Sequence, residues 1–365
     1  MSRRLLIAAL AAALAGCATS RPAVAPPAPA TPVADTSAVT VAERFVSVED
    51  AADELDSPAA WTAEDGRTRV VVTAKSTHRL VVFDGDSGER LREVGGKGDA
   101  PGRFDRPNGI AVQGDLAFVV ERDNHRVQVL ALPDLTPVAT FGASDLRNPY
   151  GIWIREAEPG DLDVYVTDAF MYGAKFDQLP PAPELAARVK RFRVEVDGDR
   201  VRARLLGAFG DTGDASLHIV ESVAGDAAND RLLVADEDTR ARPSTLRDYT
   251  LDGRYTARST PPGAFAQQAE GIALWDCPGG AGYWIAVDQI APLAVFHVFD
   301  RTTLAPVGSF RGRVTSHTDG IALHAAGTPS FPGGVLYAVH DDRALAAFDL
   351  REVASALHLA EQCVL

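Results

Sequence analysis

One phrase returns along this chain, and its spacing restricts the fold more than any other feature. Ala269-Glu270-Gly271-Ile272-Ala273-Leu274 and Thr318-Asp319-Gly320-Ile321-Ala322-Leu323 each place an acid before a glycine and an apolar run. Arg106-Pro107-Asn108-Gly109-Ile110-Ala111-Val112 and Asn148-Pro149-Tyr150-Gly151-Ile152-Trp153-Ile154 repeat the glycine and the run. Ile219-Val220-Glu221-Ser222-Val223-Ala224 is a worn copy, and Asp56-Ser57-Pro58-Ala59-Ala60-Trp61 is the earliest. Taking Ala60, Ile110, Ile152, Val223, Ile272 and Ile321 as equivalent gives intervals of 50, 42, 71, 49 and 49 residues. The long interval holds a Pro/Ala-rich insertion, 169–188. Each copy is followed by a second β-like run, such as Leu116-Ala117-Phe118-Val119-Val120, and in places a third, such as Val295-Phe296-His297-Val298-Phe299-Asp300. Turn signals such as Asp86-Ser87-Gly88 and Asp252-Gly253 separate them. Six units of three or four short strands predict an all-β chain folded as a six-bladed β-propeller. Segment 44–48 is expected to lend an outer strand to the last blade and close the ring, and 353–359 to form a short helix.

In such a fold the first strand of each blade lines the central channel, so the residue before the repeated glycine stands at the channel mouth. That position predicts a ring of Asn108, Tyr150, Glu221, Glu270 and Asp319, with Asp56 close by. Four of the six are carboxylates, which repel one another when held together and are relieved by a bound cation. The plain alternative is a set of solvated loop acids with no ligand.

The N-terminus bears on location. Arg3 and Arg4 precede an apolar stretch, 5–14, too short to span a bilayer. Leu14-Ala15-Gly16-Cys17 resembles a bacterial lipoprotein signal, with Cys17 the lipidated residue; the alternative is an ordinary secretory signal. The expected division is a signal at 1–17, a Pro/Ala-rich tether at 18–40 and the propeller at 41–365. Ala18 follows the cysteine, with no Asp there, so the expected place is the outer membrane facing the periplasm, or outside the cell. Membrane contact is expected through the lipid alone, and the propeller is expected to be a monomer. A formal charge of −14 disfavours nucleic acid and favours cations. An oxidising compartment permits a Cys277–Cys363 disulfide, the alternative being two buried thiols. No Gly-x-Ser-x-Gly elbow, P-loop, His-Glu-x-x-His or zinc-ligand spacing is present.

The motifs taken together resemble the β-propeller phytases (3-phytases). Asp56-Ser57-Pro58-Ala59-Ala60-Trp61 is similar to that family's opening Asp-Asp-Pro-Ala-Ile-Trp, and Asn148-Pro149-Tyr150-Gly151 to its Tyr-Gly strand start. Glu221 with Leu232-Leu233-Val234-Ala235-Asp236-Glu237-Asp238 resembles its Glu-Gly unit and following acidic run. Thr318-Asp319-Gly320-Ile321 and then Pro329-Ser330-Phe331-Pro332-Gly333-Gly334-Val335-Leu336-Tyr337 are similar to its final motif pair. The resemblance spans most of 45–350 at low identity. It implies Ca²⁺-dependent hydrolysis of phytate or a similar small polyanionic phosphate ester by metal-activated water. Carried over residue by residue, Asp56, Glu221, Glu237, Glu270 and Asp319 would be calcium ligands. Glu237 and Glu221 would also face the attacking water, and Lys75, Arg122 and Tyr150 would touch phosphate.

Four positions depart from the family pattern. Ser57 stands for a second Asp, Ser222 for Gly, Asp168-Ala169 where a phosphate-binding Lys is found, and Ala347 for an Asn. A second resemblance is local. Residues 98–112 with Asp123-Asn124-His125-Arg126-Val127-Gln128-Val129 closely resemble the NHL repeat, which builds propellers used mostly for binding. A non-catalytic propeller lipoprotein holding a ligand or protein partner is therefore the competing reading. A lactonase-type propeller with one axial metal is a third, separable by metal stoichiometry. Among eight scattered histidines, His317 alone borders the ring.

Overall fold

The computed structural model describes residues 37–198 and 200–364. The signal at 1–17, its Cys17 and most of the expected tether lie outside these residues. Within them, six antiparallel sheets form, each four-stranded in chain order apart from additions to the last two. Blade one is Leu55–Thr62, Thr68–Ala74, Arg79–Asp84 and Arg90–Gly95. Blades two to five begin with Pro107–Gln113, Pro149–Glu158, Val220–Asp226 and Ala269–Asp276. Blade six has Ile321–His324, Val335–His340 and Ala344–Asp349, and takes its outer strand from Phe45–Val46. That closure is the one read from the sequence. Joining the chain's beginning to its last blade removes an unpaired sheet edge and ties the ring shut.

The propeller starts earlier than residue 41. Val39–Thr40 runs parallel to Pro306–Arg311 as an extra edge strand on blade five. Ala38 packs with Ile290 and Val295. Glu43 accepts backbone N–H bonds from Arg313, Val314 and Thr315, which fixes the crossing from blade five to blade six. The expected helix is Leu350–Leu357, starting three residues early because Asp349 accepts from the Arg351 N–H and caps it. Cys277 and Cys363 are bonded, pinning the C-terminal segment beneath blade five.

Apolar residues alternate inward from both faces of each blade, so the core divides into clusters between neighbouring blades. Four blades also share a polar staple. Glu121, Asp168, Asp236 and Asp288 end their second strands. Each accepts backbone N–H bonds from the loop entering its own blade, as Asp288 does from Ala266 and Gln267. The position paired with the residue two before each acid, diagonal to the acid itself, holds Gln128, Lys190, Arg247 or His297. Ser309, His297 and Asp288 therefore form a hydrogen-bonded line, 2.8 Å and 3.3 Å, that looks like a nucleophile relay. Its recurrence with Gln, Lys and Arg in the histidine's place identifies it as blade architecture.

The repeated phrase has a backbone reason. Pairing slips between Leu55 and Pro58, Pro107 and Ile110, Pro149 and Ile152, Val220 and Val223, and Ala269 and Ile272. The ring residue and its partner thus occupy a β-bulge in every one of these strands, the device that re-aims a side chain out of the ladder. The slip also corrects the first blade's register. Pro58, opposite Val72, is the counterpart of Ile110, opposite Val119, so Asp56 is a full member of the ring. The glycine is needed because the next inner strand crosses there. A Cβ at Gly151 would stand 2.1 Å from the Glu221 carbonyl oxygen, and one at Gly320 2.5 Å from that of Asp56.

Candidate functional site

The bulges, with the turn entering blade six, bring Asp56, Tyr150, Glu221, Glu270 and Asp319 to one small cavity of about 20 Å³ on the axis, the size of one water or ion. Asn108 closes the sixth position, its amide 3.4 Å from Asp56 Oδ2. A second tier stands beside the first. Lys75, Arg122, Ala169, Glu237 and Gln289 each follow the second strand of their blade. All five donate the same backbone bond, to the carbonyl two residues before the ring position: Glu54, Arg106, Asn148, Ile219 and Gln268. Three residues singled out in the sequence, Lys75, Arg122 and Glu237, are thus one structural position in three blades.

The mouth is polarised. On one side Lys75 is buried and its ammonium lies 2.7 Å from Asp319 Oδ2 and 3.1 Å from Asp56 Oδ2. Burial opposes that charge, but Asp56 and Asp319 overcome it and hold Lys75 protonated beyond the ordinary lysine range. Asp56 further accepts from Ser57 Oγ at 2.7 Å and Tyr150 Oη at 3.1 Å, and Asp319 from Gln289 at 2.7 Å. Lys75 was expected to meet substrate phosphate. The ring engages it, because Asp56 of blade one and Asp319 at the start of blade six both lie within its reach.

Among the described residues, no cation pairs directly with the carboxylates on the other side. Glu221, Glu237 and Glu270 each offer a carboxylate oxygen within 4.8 Å of the others. Glu237 and Glu270 are buried, and Glu237 Oε1 has no hydrogen-bond partner. Burial, then repulsion from Asp56 and Asp319, pushes Glu221 up to about 8. Burial and the neighbouring carboxylates hold Glu237 and Glu270 well above the usual carboxylate range. Asp319, raised by burial and relieved by Lys75, stands at about 6. An all-oxygen donor set with an orphaned buried carboxylate oxygen suits a hard divalent cation such as Ca²⁺.

A larger cavity, about 580 Å³, opens beside this ring and shares Tyr150 and Glu221 with it. Arg122, Arg147 and Arg240 give it cationic character, and the insertion contributes Phe170, Met171 and Phe176. Arg122 and Tyr150, which the resemblance assigned to phosphate, both line this cavity. Arg147, Arg240 and the aromatic wall were missed in the sequence, since a Pro/Ala-rich insertion gives no sign of where it folds back. His317 meets Asp342 at 3.4 Å on the ring's Lys75 side, and Asp342, two residues past the end of the second strand of blade six, was also missed. Ala347, at the family's Asn position, is a buried core residue opposite Phe45.

The NHL repeat model matches residues 104–130 of this chain. There Asn124, Arg126 and Gln128 all bond Glu121 and carbonyls of the loop entering blade two, Gly98, Asp99 and Arg103. No curated protein matches the sequence. Among solved structures, hydrazine synthase of Kuenenia stuttgartiensis is similar at 13% identity, covering 86% of this chain and 82% of that one, TM-score 0.48. Virginiamycin B lyase of Staphylococcus aureus is similar at 11% identity over 82% and 97%, TM-score 0.46. A putative 6-phosphogluconolactonase of Bacteroides uniformis is similar at 17% identity over 78% of each chain, TM-score 0.47.

Proposed function

We propose that this propeller is a calcium-dependent phosphate monoester hydrolase of the kind its motifs resemble, working at the channel mouth. One observation carries the reading: a carboxylate cluster fit for a cation and an arginine-bearing cavity fit for an anion meet at Tyr150 and Glu221. Glu221, Glu237 and Glu270 would hold the ion, and Asp56 and Asp319, which share the Lys75 ammonium, would complete its outer field. A divalent ion there would supply Lewis acidity, drawing charge from phosphoryl oxygens and making a water acidic. Arg122 steers the ester's anion toward the ring by charge. Tyr150, its hydroxyl held by Asp56, limits how the leaving group is turned. Burial of the glutamates excludes bulk water, which strengthens every charge interaction at the mouth. With one trio free of counter-ions, the expected stoichiometry is one tightly held ion, fewer than a fully acidic ring would take.

The lipoprotein signal at Cys17 would tether this activity to the outer membrane, facing the periplasm. The test is phosphate release from phytate and from simple monoesters by the folded protein, with Ca²⁺ and with chelator. Release that depends on Ca²⁺ supports the reading. An intact fold that binds Ca²⁺ and releases no phosphate from any monoester would favour the binding propeller, the reading that the NHL match supports. Turnover of lactones alone would favour the single-metal lactonase type.

A further inference from the structure

We infer that the side cavity receives the organic half of the substrate, and that this half is flat and apolar: an aryl or nucleoside group on a single phosphate. The inference rests on the hydrolase reading only for where the ester is cut. Its basis is the second tier. The position that holds Lys75 in blade one and Arg122 in blade two holds Ala169 in blade three. The next two residues, Phe170 and Met171, line the cavity, as does Phe176 from the same insertion. Where a further cation would grip a second phosphate, the tier holds Ala169, and the insertion beyond it presents Met171 and Phe176.

The charges of the cavity are unevenly available. Arg147 is fixed as part of that wall. Its guanidinium lies 3.9 Å over the Phe170 ring and bonds Glu184 at 2.7 Å and Tyr172 at 3.0 Å. Arg122 meets its own neighbour Asp123 and reaches the cavity from the side of Tyr150. Phe176 is 76% exposed, an aromatic face held in contact with water beside a polar mouth. A polyphosphate carries charge on every side and would press desolvated phosphates against Met171 and Phe176. An aryl monophosphate places its anion at Arg122 and its ring on that wall, gaining apolar burial and ring contacts. A volume of about 580 Å³ is in the range that encloses a molecule of that size.

The test is calorimetric binding of phenylphosphonate, methylphosphonate and inorganic phosphate to the full chain in Ca²⁺. Phenylphosphonate is expected to bind about tenfold tighter than methylphosphonate. Phe176→Ser should erase most of that difference and leave inorganic phosphate unchanged. Arg122→Ala should weaken all three. Equal affinity for the two phosphonates, or an aryl preference that survives Phe176→Ser, overturns the proposal. Phosphate release from phenyl phosphate and phytate is read in parallel. If neither is cleaved while the aryl preference stands, the hydrolase reading fails and the pocket's specificity remains.

Discussion

The Lys75 ammonium lies 2.7 Å from Asp319 Oδ2, inside a ring whose members come from every blade. That one contact decides how the ring's charge is distributed. Breaking a buried pair by removing one partner costs about 3–5 kcal/mol. Lys75→Met should therefore lower the melting temperature sharply in chelator. Added Ca²⁺ should restore more stability to the variant than to the parent, because Asp56 and Asp319 become available to an ion. Calorimetric titration should show a second binding event. A variant as stable as the parent in chelator would contradict the assignment.

Glu237→Gln and Glu270→Gln test the opposite side of the mouth. Each removes an ionisable carboxylate from a trio whose oxygens lie within 4.8 Å of one another. Calcium affinity should fall about tenfold or more, while stability in chelator should rise at alkaline pH, where the parent's glutamates lose their protons and repel. The two effects have opposite signs and are read on the same samples, by titration and by thermal melting.

The pH dependence follows from the same residues. Glu221 titrates near 8 in the fold and at an ordinary carboxylate value when unfolded. The folded state therefore binds more protons between those values, and stability declines as pH rises through them. In chelator the melting temperature should fall between pH 5 and pH 8, by several degrees. Saturating Ca²⁺ should flatten the decline, because the ion replaces the protons. A melting temperature that rises over this range without metal would show that the trio is not held as described.

Gly151→Ala should disturb both fold and site. The added Cβ would stand 2.1 Å from the Glu221 carbonyl oxygen, which only backbone movement relieves. A loss of about 1–3 kcal/mol is expected, as for overpacked cores, together with weaker Ca²⁺ binding because Glu221 moves. Gly207→Ala, where nothing lies within 4 Å and the backbone is not left-handed, controls for the loss of glycine itself.

The Cys277–Cys363 bond closes a loop with a sequence separation of 86. Reduction, or Cys363→Ser, should cost about 2–5 kcal/mol. Calcium affinity should be unaffected, since neither cysteine touches the mouth. Denaturant melts with and without reductant give the comparison.

How far the sequence reached follows from what is local and periodic. The bulged phrase recurs because each blade repeats one backbone solution, so blade number, closure by Phe45–Val46 and the acid positions could all be read from spacing. Glycine at the crossing and an acid before it are demands of the single strand. Two things were beyond that reading. One was pairing of charges across blades: Lys75 and Asp319 are 244 residues apart, and nothing near either names the other. The second was the path of the insertion, 169–188, whose Phe170 and Phe176 reach the mouth only once blade three is folded. The chain's repeats determined which residues share a position around the axis. Only the closed ring decided which of them neutralise one another and which are left facing a ligand, because electrostatics acts through distances that the order of residues does not contain.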